Sequence, residues 1–390
     1  MAYGTHVAPK STSFTRLDTL LVPAAGELPS NADYLAHLDV AASDRALVRL
    51  ASNENTEPPS PLVRDALRRA YEDANLSPPP VPRVRVALAE RWRVTPDRVL
   101  VGAGSTELIE AVIRTFVRAG DEVVLPTPSW PVFKRRLTAL EAKIVESPLR
   151  VSSTSYDYDV EALLEAVGEA TKLIVVCSPN NPTGNSMALE DVRRLAEAGP
   201  VLLVDAAYAD FDPEIDLSSL VHEYPNVILS RTFSKAYCLA GLRLGYIVGD
   251  ASVLDYVDRF LVPGSSVSSA ALHAGLAALA DEGYHERQVQ RIVTERERML
   301  RGIRSLGLTA YESRGNFVAV DASDYPGGSH GLVAAVLDHG VVIRQMGDTI
   351  VRISVGTTAE NELVLGALAE LTGAGPRQAS ARSSAARSPH

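Results

Sequence analysis

Short runs of β-branched and aliphatic residues alternate with amphipathic stretches between about residue 97 and residue 262. Each apolar run has the length of one strand, and each intervening stretch has the apolar spacing of a helix of about ten residues. The strand-like runs are VLVGAG, EVVLP, KIVES, KLIVVCSP, VLLVDAAY, VILSRTFS and YIVG. Strands separated in this way are typical of βαβ units wound around a mainly parallel sheet. We therefore predict an α/β fold for this part of the chain.

The pattern changes after residue 262. Long helical stretches are followed by the strand-like runs NFVAVDA, VVIRQM and IVRISVGT, with GLVAAVLDHG helical between the first two. Strands with helices on one side predict a smaller α+β domain. The predicted division is an N-terminal arm (1–47), a small domain (48–80 and 263–373), a large domain (81–262) and a disordered tail (374–390). The tail has almost no large apolar residues, so it cannot offset its ordering entropy.

Composition excludes several classes of function. The formal net charge of -10 disfavours a nucleic-acid partner, because binding phosphates requires a basic surface. No run approaches the ~18–20 apolar residues of a membrane helix. The two cysteines, Cys177 and Cys238, are far apart and lack metal-type spacing. We therefore expect a cytoplasmic protein with no disulfide framework, no metal site and no membrane partner.

Lys235 is the candidate nucleophile of the chain. It lies between a strand and a glycine turn in SRTFSKAYCLAGLRLGY, flanked by Phe233 and Tyr237. A lysine nucleophile must lose its proton, and an apolar pocket with a cationic neighbour such as Arg243 lowers its pKa. The alternative is a partly buried lysine paired with a carboxylate. The remaining lysines have the pattern of surface charges: Lys10, Lys134, Lys143 and Lys172.

The segment GAGSTE, Gly102 to Glu107, follows a strand and opens a helix. Such turns direct backbone N–H groups and a helix N-terminus at an anion, commonly a phosphate. The dinucleotide fingerprint G-x-G-x-x-G needs glycine at position 107, where this chain has Glu107, so a nicotinamide cofactor is disfavoured. The alternative is a tight turn in which Ser105 caps the helix.

The segment SPNNPTG, Ser178 to Gly184, stands at the carboxyl end of a predicted strand. Its prolines end the strand and stiffen the loop, which can then present Asn181 rigidly to a ligand. The alternative is an ordinary rigid loop.

The segment VLLVDAAYADF places Asp205 at the end of a strongly apolar strand. Burying this carboxylate is costly unless it meets a cation or strong donors, and a protonated ring nitrogen would satisfy it. Ligands of open α/β sheets bind outside the carboxyl ends of the strands, so we expect Asp205, Asn181 and Lys235 to lie together. A metal role for Asp205 lacks an accompanying His or carboxylate cluster.

Together these segments resemble the fold-type I pyridoxal-phosphate (PLP) enzymes, and among them the histidinol-phosphate aminotransferase-like branch. The resemblance covers roughly residues 48–372 and depends on the spacing of SPNNPTG, DAAY, TFSKAYCLAGLRLGY and VRISVGT. It implies a large domain with a mainly parallel seven-stranded sheet, a smaller α+β domain and a homodimer. It also implies an aminotransferase that moves an amino group between an amino acid and a 2-oxo acid through a Lys235 Schiff base. A decarboxylase, a cyclase or a side-chain-modifying PLP enzyme would keep nearly the same residues.

The resemblance assigns roles to individual residues. Lys235, Asp205 and Tyr208 would be catalytic, with Asp205 against the pyridine nitrogen. The cofactor ring would contact Trp130, Asn181 and Tyr208, and its phosphate would be held by Ser105, Thr106, Thr232, Ser234 and Arg243. The substrate would contact Arg352, Arg344, Asn53 and Asn181.

Two segments depart from this branch. Where it has N-E-N-P-Y-G, the chain reads Asn53 to Pro58 with Glu57 in place of tyrosine, and where it has N-R-Y-P the chain has Ser77 in place of tyrosine. A carboxylate at Glu54 or Glu57 that faced the site would repel a phosphate. We therefore predict that an α-amino acid, including a basic one, is preferred over histidinol phosphate. The alternative is that both glutamates point to solvent.

Overall fold

The computed structural model describes residues 46–72, 74–76, 82–263 and 266–373. The arm up to residue 45, Ser77 and the tail from residue 374 lie outside the described residues. The strands are β1 (Val48–Arg49), β2 (Val99–Gly102), β3 (Glu122–Thr127), β4 (Lys143–Pro148), β5 (Arg150–Val151), β6 (Tyr156–Asp157), β7 (Thr171–Cys177), β8 (Val201–Asp205), β9 (Val227–Thr232), β10 (Gly245–Val248), β11 (Ala310–Tyr311), β12 (Phe317–Asp321), β13 (Val341–Val342), β14 (Arg344–Met346) and β15 (Ile350–Ser354).

Helices separate most of these strands, as the alternating pattern predicts. The α-helices in the described ranges are Pro61–Glu72, Pro82–Trp92, Ser105–Phe116, Pro131–Ala139, Val160–Glu165, Leu189–Glu197, Leu220–Glu223, Ala251–Asp258, Ser269–Ala280, Glu282–Ser305, Gly328–Asp338 and Thr358–Leu371. Among the described residues, none of these helices is both long and apolar enough to cross a membrane.

A seven-stranded sheet in the order β2-β10-β9-β8-β7-β3-β4 forms the centre of the fold. β10 runs antiparallel to both of its neighbours, and the other pairs are parallel. The central strands are buried along nearly their whole length, which explains their continuous Val/Leu/Ile runs. The predicted mainly parallel α/β sheet is confirmed.

The carboxyl ends of β7, β8 and β9 meet at one edge of this sheet. Cys177 pairs with Asp205, and Asp205 pairs with Ser230, so three neighbouring strands end side by side. The loops that carry the predicted site residues follow these ends. Parallel pairing therefore brings distant parts of the sequence to one place.

A second, antiparallel sheet has the order β11-β12-β15-β14. The run VVIRQM was predicted as one strand, and this is wrong. Val341–Val342 pairs in parallel with β1, whereas Arg344–Met346 pairs with β15. The reason is tertiary, because the backbone of Val48–Leu50 takes the hydrogen bonds on one side of Gly340 and Val342.

The long helical stretches predicted after residue 262 form two helices, Ser269–Ala280 and Glu282–Ser305. Asp281 ends the first and caps the second, where its side chain accepts the backbone N–H of Tyr284 at 3.3 Å. The helix Pro61–Glu72 packs against the first of them, Ser269–Ala280. The boundaries of the predicted large and small domains stay a prediction.

Candidate active site

A cavity of about 320 Å³ opens at the carboxyl ends of β7, β8 and β9. Its walls contain every residue that the sequence assigned to a catalytic, cofactor or substrate role. These lining residues are Asn53, Ser105, Thr106, Trp130, Asn181, Asp205, Tyr208, Thr232, Ser234, Lys235, Arg243, Arg344 and Arg352. The structure therefore brings together side chains that lie far apart in the sequence.

Lys235 follows β9 and is partly buried in the cavity wall. Its Nζ donates a hydrogen bond to the carbonyl oxygen of Ser52 at 3.0 Å. Burial, with the nearby charges of Arg352 and Arg243, lowers the pKa of Lys235 to about 7. Within the described ranges no carboxylate forms an ion pair with it, so the alternative of a carboxylate-paired lysine is not observed. An amine with this pKa is largely neutral just above neutral pH, as a nucleophile requires.

Asp205 ends β8 and is only 4% exposed. Burial raises the pKa of its carboxyl to about 7, against the opposing effects of the Ala207 backbone N–H and Lys235. Its Oδ1 has no hydrogen-bond partner among the described residues. A buried carboxylate oxygen without a donor is costly. The protonated nitrogen of a pyridine ring is a donor that would satisfy it, so this residue fits PLP.

Tyr208, Asn181 and Arg352 form a continuous hydrogen-bonded chain. Asn181 donates from Nδ2 to the Tyr208 oxygen at 3.3 Å, and its Oδ1 accepts Nη1 of Arg352 at 2.6 Å. Arg352 also donates from Nη2 to the carbonyl of Ala51 at 2.6 Å. Arg344 is the cross-strand partner of Arg352 on β14 and lines the same cavity. Two guanidinium groups thus face one site, where they can bind anions.

Ser105, Ser234 and Arg243 give part of the cavity wall the form of an anion cradle. A Cβ added to Gly104 would lie 2.5 Å from Nη2 of Arg243, and one added to Gly245 would lie 2.3 Å from the backbone N of Ser105. The Ser105 backbone cannot give way, so only glycine at position 245 allows β10 to approach the first turn of the helix Ser105–Phe116 this closely, and the φ of 84° favours glycine at position 104. Arg243 also donates to Oγ of Ser234 at 3.3 Å. The helix N-terminus, hydroxyl groups and guanidinium fit the phosphate of PLP.

The alternative in which Ser105 caps this helix is wrong. Gly104 precedes the first helical turn with a φ of 84°, and no side chain forms a cap hydrogen bond. The carboxylate of Glu107 instead accepts the backbone N–H of Ala103 at 2.6 Å. Ser105 is already helical, so its N–H remains directed toward the cavity end of the helix.

Trp130 and Glu54 complete the cavity wall, whereas Glu57 is not among the lining residues. Trp130 packs edge-on against Phe133 with ring centroids 5.3 Å apart, which holds the indole at the start of its helix. Glu54 lies 3.7 Å from Arg49 in an ion pair. Only one of the two glutamates considered from the sequence therefore lines the site.

Sequence reasoning missed several contributors to the site. The carbonyls of Ala51 and Ser52 hold Arg352 and Lys235, and the side chains of Asn316 and Ser354 hold Asn53. Backbone carbonyls carry no sequence signal, so only the register of β1 could have indicated them. Across the described residues, no group of three or more His, Cys, Asp and Glu side chains could hold a metal ion.

Known proteins resemble this chain over most of its length. The sequence model of the family "Aminotransferase class I and II" matches residues 45–368. Histidinol-phosphate aminotransferase 2 of Caulobacter vibrioides is 35% identical over 331 residues, which cover 83% of this chain and 86% of the relative. An aromatic amino acid aminotransferase of Rhodococcus opacus is 35% identical over 323 residues, or 82% and 88% of the two chains. The crystal structure of histidinol-phosphate aminotransferase from Sinorhizobium meliloti in complex with pyridoxal-5'-phosphate aligns with a TM-score of 0.82 and 29% identity, covering 93% of this chain and 99% of that one.

Proposed function

Because this chain belongs to the class I and II aminotransferases, we propose that Lys235 binds PLP covalently. The bound cofactor would serve the transfer of an amino group from an α-amino acid to a 2-oxo acid. The protein is a PLP-dependent aminotransferase of fold type I. The observation that carries the residue assignment is that one cavity contains both Lys235, whose pKa is lowered to about 7, and a buried Asp205 oxygen that has no hydrogen-bond partner among the described residues.

The chain's own residues divide the work of proton transfer and orientation. PLP, when bound, supplies an electron sink for the charge that develops at the substrate α-carbon. Nζ of Lys235, once released from the cofactor, would accept the α-proton and return it. Asp205 would keep the ring nitrogen protonated, and Trp130 would cover one face of the ring. The phosphate would be held by Ser105, Thr106, Thr232, Ser234 and Arg243.

Arg352 would bind the substrate α-carboxylate. Its guanidinium is held by Asn181 and Ala51, so its direction is fixed before substrate arrives. A planar guanidinium that binds a carboxylate bidentately orients the α-C–H bond toward the base. Arg344 offers a second cation for an anionic group on the substrate side chain.

The spectrum of the purified protein tests the covalent assignment. We expect a visible or near-ultraviolet cofactor band that borohydride fixes to the peptide containing Lys235. Addition of an amino acid should convert the cofactor to its amine form, and a 2-oxo acid should restore it. Lys235→Ala should abolish the fixed label, whereas Lys134→Ala, at an exposed lysine paired with Glu146, should not. A label on any other lysine contradicts the assignment.

The preferred amino donor is an α-amino acid, including a basic one, rather than histidinol phosphate. Glu54 supports this part of the proposal because a carboxylate in the cavity wall disfavours a phosphate. Competitive turnover of arginine, phenylalanine, glutamate and histidinol phosphate measures the preference. Glu54→Gln should raise turnover of histidinol phosphate relative to arginine about tenfold, which corresponds to ~1.4 kcal/mol. Glu57→Gln is the matched control. A dominant specificity constant for histidinol phosphate in the unaltered enzyme contradicts the proposal.

A cytoplasmic homodimer completes the proposal. Tyr71, in the last turn of the helix Pro61–Glu72, and Leu76, just after that helix, are 81% and 61% exposed. These two side chains line one surface groove with Leu67 and Ala70, and a contiguous apolar surface supports coverage by another subunit.

A further inference from the structure

Asn53 is held in the left-handed backbone region with a φ of 51°, and the residue is 1% exposed. Asparagine tolerates this conformation better than most residues with a Cβ. The backbone N–H donates to Oγ of Ser354 at 2.7 Å, and the backbone carbonyl accepts Nδ2 of Asn316 at 2.9 Å. The backbone of Asn53 is therefore fixed by Ser354 at the end of β15 and by Asn316 in the segment between β11 and β12.

The orientation of the Asn53 carboxamide follows from these contacts. Oγ of Ser354 accepts a hydrogen bond from the Asn53 backbone N–H. The same hydroxyl donates its own proton to Oδ1 of Asn53 at 3.2 Å. Oδ1 is thereby the acceptor on the Ser354 side. Nδ2 is directed to the oxygen of Tyr208, 3.0 Å away.

The oxygen of Tyr208 receives a second amide donor from Asn181. Because Oδ1 of Asn181 must face the Arg352 guanidinium, its Nδ2 is the end that meets Tyr208. A phenolic hydroxyl has two acceptor positions and one proton. With both acceptor positions taken, the proton points away from the two amides, and Tyr208 lines the cavity. Phe317 packs edge-on against the ring at 5.1 Å and restricts its rotation.

We propose that Asn53 is a positioning residue for Tyr208, fixing the phenolic hydroxyl as a hydrogen-bond donor into the cavity toward the cofactor ring. Asn53 and Asn181 both donate to the Tyr208 oxygen, but other groups hold each of them in place. Asn181 is linked to Arg352, whereas Asn53 is anchored by Ser354 and Asn316. The backbone and side-chain polar groups of Asn53 already have partners, which favours action through Tyr208 over direct contact with substrate. Burial also raises the pKa of Tyr208, so the hydroxyl keeps its proton.

The inference rests on the proposed function for its spectroscopic test, which is the pKa of the bound cofactor chromophore in the holoenzyme. A donor to a ring oxygen stabilises the deprotonated chromophore, so its loss raises that pKa. Asn53→Gly keeps the left-handed backbone and should raise the pKa by roughly half a pH unit, and Tyr208→Phe should raise it by more. The double variant should match Tyr208→Phe. Asn53→Asp should raise the chromophore pKa more than Asn53→Gly does, because the new carboxylate would accept the hydrogen bond of the Tyr208 hydroxyl and direct it away from the cofactor ring.

Asn55→Gly is the matched control, since Asn55 is two positions away and bonds Gln288 and Arg291 instead. It should leave the chromophore pKa unchanged. Equal shifts by Asn53→Gly with and without the Tyr208 hydroxyl, no shift at all, or a similar shift from Asn55→Gly would overturn the inference.

Urea unfolding of the cofactor-free proteins provides an independent double-mutant cycle. It compares the unaltered chain with Asn53→Gly, Tyr208→Phe and the double variant. Asn53→Gly should lower the midpoint less in the Tyr208→Phe background than in the unaltered chain. Absence of a lysine-bound chromophore together with additive unfolding would refute both the proposed function and this inference. A chromophore with additive effects in both cycles refutes the inference alone. Non-additive effects of the two substitutions on urea unfolding, in a protein that forms no chromophore, would support the hydrogen bond between Asn53 and Tyr208 but refute its role toward a cofactor.

Discussion

Replacing Asp205 with asparagine should protect the cofactor-free protein from a loss of stability between pH 5 and pH 8, and should remove most of the turnover of the PLP-bound enzyme. Burial raises the pKa of Asp205 from 3.8 to about 7. Between these pH values the folded state holds a proton that the unfolded state has lost. The free energy of unfolding therefore falls as the pH rises from 3.8 to about 7 and stays low above it. The neutral carboxamide of the Asp205→Asn variant has no charge to bury, so it escapes this loss.

The magnitude follows from the pH interval that an experiment can span. Between pH 5 and pH 7 the unaltered protein loses about 1.4 kcal/mol for each of two pH units, or ~3 kcal/mol. The unfolding free energy of Asp205→Asn, relative to the unaltered protein, should rise by this amount between pH 5 and pH 8. Burying the two amide N–H donors of asparagine costs the same free energy at both pH values. That cost therefore cancels when the effect of the substitution at pH 5 is subtracted from its effect at pH 8.

The assay is urea unfolding of the cofactor-free proteins at pH 5 and pH 8, followed by circular dichroism. Repeating the pair in a Lys235→Ala background removes the titration of Lys235. Asp210 is a matched buried carboxylate that forms an ion pair with Arg231 at 2.8 Å. Although burial opposes it, Arg231 and His285 lower the pKa of Asp210 to about 2, so Asp210→Asn should be destabilising at both pH values.

Two results would refute this reasoning. If Asp205→Asn differs from the unaltered protein by the same amount at pH 5 and pH 8, the buried carboxyl does not hold a proton near neutrality. With PLP bound, Asp205→Asn should keep the cofactor, because the phosphate cradle is intact, but lose ~100-fold in kcat. Full activity of the variant would show that Asp205 does not serve the ring nitrogen.

Four further outcomes are expected. The rate of covalent PLP capture should rise about tenfold per pH unit below pH 7 and level off above it, because the pKa of Lys235 is about 7; a stopped-flow rate that climbs steadily to pH 10 would contradict this. Arg352→Gln should lower kcat/KM for α-amino acids ~100-fold while the lysine-bound cofactor band persists, and equal losses for donors without a carboxylate would assign Arg352 another role. Truncation after Gly373 should leave the melting temperature unchanged, so a clear drop would show that the tail docks. Sedimentation should give a dimer, and an active, stable monomer would disprove that proposal.

The sequence by itself determined the sheet and the position of the chemistry along it. Apolar runs such as those of β7 and β8 can be buried on both faces only in a covered parallel sheet. Once the sheet is parallel, the ends of these strands must meet. Asn181, Asp205 and Lys235 lie at or just after three of those ends, so the sequence already places them together.

The tertiary structure decided the contacts between these residues and the first part of the described chain. Lys235 donates to the carbonyl of Ser52 across 183 positions, and Arg352 donates to that of Ala51 across 301. The hydrogen bond between Asn53 and Tyr208 spans 155 positions. Local periodicity fixes neither the register of β1 against β13 nor the side chain that each carbonyl meets, because both depend on how separate elements pack.

The same physical reason explains the differences from expectation. The run VVIRQM forms two strands, because its first residues pair with β1 while Arg344–Met346 pair with β15. Glu54 and Glu57 have the same charge in sequence, but only Glu54 lines the cavity. Residue type and spacing determined which groups this protein could use, and long-range packing determined the direction in which each one points.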